Sequence, residues 1–300
     1  MRVWSSVERL WRRWSGLRRQ WLLLAAAVAA QNLAVLHHTQ GAKVSVIGLL
    51  IWAGALICLE DRLARLRPQP APLQLLLAMP LLLWVLWRTG LAGHWDGVVF
   101  AMAPVAGLAL VLLGMPWRQC HLARESLLCL LLLPVYPLLL RVLPELPLSV
   151  AGAQGAGALL SCLGWAVRVQ GRMVLLPGGG VQVLAACNGL DMIAQLLCVT
   201  TLFLLAFPLR SWRSRIVILL LTPWIGWFTN VLRLALLAAL AGAGQGKGTF
   251  WFDFFHDQAG SLVFSGLATL LLGWVYLRLL ERQLAAVVPP QAVAVQEVRS

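Results

Sequence analysis

Followed for its apolar and polar positions, the chain divides into eight apolar stretches separated by short joints rich in Arg, Pro, Gly and Trp: 20–36, 44–59, 72–88, 97–115, 126–140, 189–207, 216–241 and 258–280. A helix needs about 17–25 apolar residues to cross a bilayer, so each stretch reads as a span and several are short. The period changes only in 141–188. That segment opens with Pro144 and Pro147 and continues as a Gly/Ala-rich helix over 150–165. It then alternates through Ala166–Gln170, a Gly171-Arg172 turn, Met173–Leu176, a Pro177–Gly180 turn and Val181–Leu184, the pattern of a small β-meander. The fold class expected is an all-α polytopic membrane protein of about eight transmembrane helices, with a small extracytoplasmic α/β insertion before the sixth.

Composition agrees: 60% of residues are hydrophobic and 12% charged, far outside the range of soluble domains. The net charge of +13 invites a nucleic-acid reading that fails once the basic residues are mapped. Seventeen fall in the N-terminus, the C-terminus and alternate loops, including Arg62, Arg118, Arg124, Arg210, Arg213 and Arg215. Six (Lys43, Arg88, Arg141, Arg168, Arg172 and Lys247) fall on the other side, and Arg233 lies within a span. Basic loops stay cytoplasmic. Both termini are therefore expected inside an inner membrane, with 141–188 outside.

Residues 1–19 read as a basic amphipathic segment bearing Trp4, Trp11 and Trp14 at helical spacing. An uncleaved anchor is preferred over a signal peptide cut near Ala27-Val28-Ala29, because the apolar run continues to Leu36. Residues 20–140 form the first five spans, 189–280 the last three, and 281–300 a disordered cytoplasmic tail. No two of the six cysteines have C-x-x-C spacing, which argues against a dithiol oxidoreductase or a zinc site. No metal or cofactor is expected. The Gly178–Gly180 run reads as a flexible turn, since no Lys-Ser/Thr follows to complete a phosphate loop.

Three polar residues stand out against this background. Arg233 lies about 26 Å along its span from the inner end at 1.5 Å per residue, and an arginine at mid-span costs at least about 2.5–3.5 kcal/mol. Something must offset that cost. Asn230, one turn earlier, can bind the same group, and Asp191 is a candidate counter-ion. Cys187 precedes a helix N-terminus, with Gly189 permitting close backbone approach. Helix-end amides there would favour a thiolate and offer oxyanion donors. Asp191 follows Cys187 by four residues, which would place both on one helical face. His256 opens the last span at the same outer level and can serve as base and then acid. Asp191 or Asp257 could orient it. Taken singly, each residue also has a plainer reading: a packing cysteine, a snorkelling arginine, a capping histidine.

Ala186-Cys187-Asn188-Gly189-Leu190, Asn230-x-x-Arg233 and His256-x-x-x-Gly260, with 46 residues from cysteine to arginine and 23 from arginine to histidine, together resemble the signature of the exosortase/archaeosortase family. The resemblance covers about 145–280; the first four spans match only in general character, and Asn188 stands where the motif often carries Ser. It implies a membrane cysteine transpeptidase or protease processing exported proteins with a C-terminal signal: a Pro-Glu-Pro-type motif, a transmembrane helix and an Arg-rich tail. By that resemblance Cys187 is the nucleophile, His256 the acid/base and Arg233 the stabiliser of the transition state or substrate carboxylate. The partners implied are the lipid bilayer, membrane-anchored substrates and a lipid or glycan amine as acceptor, with no nucleic acid. Two other classes remain open: a multi-spanning transporter, which an intramembrane arginine would suit, and a non-catalytic scaffold of an envelope polysaccharide or protein assembly system.

Overall fold

The computed structural model describes residues 16–60, 62, 70–93 and 96–285. The N-terminal amphipathic segment and the C-terminal tail lie almost wholly outside the described residues. All eight apolar stretches are helical. Six helices are long and apolar enough to cross a membrane, and two shorter apolar ones, Val99–Gly114 and Leu190–Ala206, accompany them. Among the described residues, six of the eight expected spans thus have the length to cross, and the other two are shorter apolar helices. In each of the short pair more than half of the residues are buried. A helix surrounded by protein need not match the full hydrocarbon thickness.

The chain divides into two compact units, Met1–Pro137 and Leu138–Ser300. In the first, α1 (Gly16–Gln40) turns at Gly41 into α2 (Ala42–Glu60), followed by α3 (Pro72–Leu91), α4 (Val99–Gly114), a 3-10 turn and the start of α5 (Arg124–Val142). Side-chain hydrogen bonds tie these apolar helices together, as required where water cannot serve. Trp21 Nε1 donates to the Leu110 carbonyl at 2.8 Å, Trp52 Nε1 to Asn32 Oδ1 at 3.1 Å and Gln74 Nε2 to the Met115 carbonyl at 2.9 Å. Gly114 leaves room for the first of these indoles, because a Cβ there would lie 2.5 Å from Trp21 Nε1. The ion pairs Arg62–Glu125 and Arg88–Asp96 sit at helix ends.

The second unit carries the candidate site. Helix α6 spans Glu145–Cys162, beginning earlier than its Gly/Ala-rich stretch suggested, because Pro144 precedes the helix and Pro147 falls in its first turn, where a missing N–H costs nothing. A three-stranded antiparallel sheet follows, β1 (Arg168–Gln170), β2 (Met173–Leu176) and β3 (Gly179–Gln182), in the order β1-β2-β3. The registers are Val169 opposite Val174 and Val174 opposite Val181. Then come α7 (Leu190–Ala206), α8 (Trp212–Gly242), the short α9 (Phe250–His256) and α10 (Gln258–Ala285).

Two apolar clusters build this unit around α8. The first joins Ala153, Ala156 and Leu160 of α6, Val174 and Leu176 of the sheet, and Leu234, Ala235 and Ala238 of α8. The second joins Met192, Leu196 and Val199 of α7, Ile218 and Ile225 of α8, and Ala268, Leu272 and Tyr276 of α10. Small residues permit close contact: a Cβ on Gly157 would stand 2.2 Å from Val169, and one on Gly178 would stand 2.1 Å from the Gly242 carbonyl. The Gly178–Gly180 run, read from the sequence as a flexible turn, therefore serves contact instead. Only Pro177 and Gly178 turn, Gly179 and Gly180 belong to β3, and the run rests on the C-terminal backbone of α8.

Candidate active site

Strand β3 leads through Val183 and Leu184 into a single 3-10 turn, Ala185–Cys187, which ends at the thiol. Asn188 and Gly189 follow, with Gly189 in the left-handed region at φ +86°, and α7 begins at Leu190. Cys187 is therefore not on α7, so the four-residue spacing does not put it on one face with Asp191, which occupies the first turn of α7. Of the backbone amides around the thiol, where oxyanion donors were expected, two are engaged. Cys187 N donates to the Leu184 carbonyl at 2.9 Å, and Leu190 N donates to Asn188 Oδ1 at 2.9 Å.

His256 also sits differently from expectation. It ends the separate helix α9 and does not open the last span; α10 begins only at Gln258. Gly260 makes the sharp join possible, since a Cβ there would collide with Phe255 Cα at 2.3 Å and the Phe254 carbonyl at 2.5 Å. The imidazole stacks on Phe252, with centroids 5.7 Å apart and planes at 12°.

These two chain segments bring Cys187 Sγ to 4.0 Å from His256 Nε2. On the far side of the ring, Nδ1 lies 3.4 Å from Asp257 Oδ1. Thiol, imidazole and carboxylate form a line in which a base sits beside a nucleophile and an acid group sits beside the base. Cys187 is half-buried and His256 and Asp257 are exposed, so a polypeptide can reach the pair.

Helix α8 holds both segments from behind. Arg233, only 5% exposed, donates from Nε to the Phe255 carbonyl at 3.0 Å and from Nη2 to the His256 carbonyl at 2.6 Å. Those carbonyls answer the question of what offsets a buried arginine. The ionisable groups within electrostatic reach of the guanidinium are Cys187 and Asp257. Asn230, 1% exposed, donates from Nδ2 to the Cys187 carbonyl at 3.0 Å. Its side chain lies so close to Gly189 that a Cβ on the glycine would stand 2.8 Å from Asn230 Cγ. Asn230 and Arg233, one turn apart on a single helix, thus grip the cysteine turn and the histidine helix respectively.

The model of the transmembrane exosortase family (Exosortase_EpsH) matches residues 41–273, more than half of the chain. The chain belongs to the transmembrane exosortase family. No curated protein and no solved structure matches it. For this exosortase the matched stretch includes Cys187, Asn230, Arg233 and His256 together with most of the first unit, so family character reaches well upstream of the sequence motifs near Cys187. Sequence reading missed three contacts: the stacking of Phe252 on His256, and the links from Asn188 to Leu190 N and to the Glu145 carbonyl. The four-residue spacing of Phe252 and His256 was a usable signal. The Asn188–Glu145 link spans 43 residues and had none.

Proposed function

We propose that this exosortase is a cysteine transpeptidase or protease that cleaves C-terminal sorting signals of exported proteins through a thioester on Cys187. The observation that carries the reading is the 4.0 Å approach of Cys187 Sγ to His256 Nε2, with each residue's main chain held by α8. His256 takes the thiol proton at Nε2. The thiolate attacks the scissile carbonyl carbon, and the guanidinium of Arg233, within electrostatic reach of Cys187, supplies fixed positive charge for the thiolate and the developing oxyanion. The C–N bond then breaks, His256 delivers its proton to the departing amine, and the substrate's N-terminal part remains as a thioester.

Deacylation reverses the roles. An amine on a lipid or glycan carrier, or water, loses its proton to His256 and attacks the thioester. The C–S bond breaks, and Cys187 leaves as thiolate and recovers the proton. Asp257 beside Nδ1 favours the tautomer with Nε2 free to accept.

The distribution of basic residues supports a site on the extracytoplasmic face of the cytoplasmic membrane with both termini inside. A substrate anchored by a single helix with a basic cytoplasmic tail would present its scissile peptide at that face.

The test is to co-express the enzyme with an exported reporter bearing a Pro-Glu-Pro-type C-terminal signal and to look for a hydroxylamine-sensitive adduct. Wild type is expected to accumulate it, His256→Ala to form it far more slowly, and Cys187→Ala to lack both adduct and cleavage. Cleavage at the wild-type rate in Cys187→Ala would overturn the proposal.

A further inference from the structure

We propose that Asn188, the residue after the nucleophile, is a positioning residue that fixes the Cys187 turn through its side chain. This rests on the cysteine reading above. Asn188 is 1% exposed, so its amide must find partners within the protein. It finds two in different elements: Oδ1 accepts from Leu190 N at 2.9 Å, and Nδ2 donates to the Glu145 carbonyl at 3.3 Å. One side chain thereby joins the 3-10 turn carrying the thiol to the first turn of α7 and to the first turn of α6.

The second link adds a directed polar tie to the packing of the Cys187 turn on α6. Helices α6 and α7 scarcely touch. Between them lies an apolar cavity of about 350 Å³, lined among others by Pro144, Leu148 and Ala151 from the α6 side and by Leu190, Ile193 and Leu197 of α7. Both helices pack on α8, but across the cavity itself a polar tie takes the place of close-packed side chains. The Asn188–Glu145 bond is such a tie. On the opposite side of the turn, Asn230 holds the Cys187 carbonyl. The peptide between Cys187 and Asn188 is planar, so the two asparagines clamp one rigid unit from two directions and thereby limit where the thiol can stand relative to His256.

Removing the clamp should act on the chemical step more than on substrate binding, because an ångström of misplacement at a reacting atom costs up to about a hundredfold in rate. The experiment uses the full chain in membranes, the Pro-Glu-Pro-type reporter, and two readouts: kcat and KM for cleavage, and the rate of N-ethylmaleimide modification of the Cys187 peptide by mass spectrometry. Asn188→Ser keeps an acceptor for Leu190 N but cannot reach Glu145; Asn188→Leu keeps the volume and loses both bonds. The expected result is kcat about tenfold lower in Asn188→Ser and about a hundredfold lower in Asn188→Leu. KM should stay within about twofold and the maleimide rate should change in step with kcat. Thr200→Val, which removes a buried hydrogen bond from α7 to Thr222 of α8, should leave kcat unchanged.

Wild-type kcat in Asn188→Leu, with Cys187→Ala inactive, would overturn this proposal and leave the cysteine reading standing. An equal kcat loss in Thr200→Val would overturn it too, since general loosening would then suffice. Full activity in Cys187→Ala would remove the reading on which it rests. If Asn188→Leu fails to fold, Asn188→Ser with both readouts carries the test.

Discussion

Arg233 stands out in the sequence through its cost and finds its role in the structure through its partners. A guanidinium in an apolar helix must be matched, and here two carbonyls of the segment that carries His256 do so. Lysine has the charge but not the fork, so Arg233→Lys is expected to lower kcat for reporter cleavage by about a hundredfold while the protein still inserts, as steady-state kinetics on membranes would show. Gly189 is constrained twice, by φ +86° and by Asn230. Gly189→Ala should cost about 1–3 kcal/mol of stability and displace Asn230 from the Cys187 carbonyl, giving both a lower Tm and a slower cleavage. Arg233 was legible because it is expensive where it stands, and Cys187 and His256 through the spacing of their motifs. Their partners were not, since main-chain carbonyls such as those of Phe255 and Glu145 leave no mark in a sequence.

At the scale of elements, helix existence was legible and helix ends were not. Periodicity and length located every apolar helix, and alternation located the three strands. The join between α9 and α10 escaped, because Asp257 breaks the helix through a local extended conformation that the apolar pattern on either side conceals. Gly260 is the hinge of that join. Gly260→Val should push α9 off its seat and separate His256 from Cys187, so that cleavage falls at least about tenfold while the yield of membrane-inserted protein holds. The sheet depends on a similar close approach between Gly157 and Val169. Gly157→Leu should lift β1 from α6, detected as new protease sensitivity between residues 165 and 180.

At the scale of the molecule, the arrangement of sides proposed from charge can be checked by chemistry. Cys162 is exposed at the end of α6 and Cys187 is half-buried, whereas Cys129 and Cys198 are buried. A membrane-impermeant maleimide added outside intact cells should modify Cys162 readily and Cys187 slowly, and spare Cys129 and Cys198. Modification of Cys162 only after the membrane is opened would reverse the orientation. Helix α8 has 31 residues, about 46 Å at 1.5 Å per residue, which exceeds the roughly 30 Å of the hydrocarbon core. The same rod that crosses the lipid carries Asn230 and Arg233. In the proposed reaction, the height at which a peptide bond is cut, and the gap between the atom that accepts an acyl group and the atom that accepts a proton, would thereby be counted in residues of one helix. A single residue inserted before Asn230 would turn both grips by somewhat more than a quarter of a revolution and raise them together, so such a lesion would abolish activity without replacing any residue of the site.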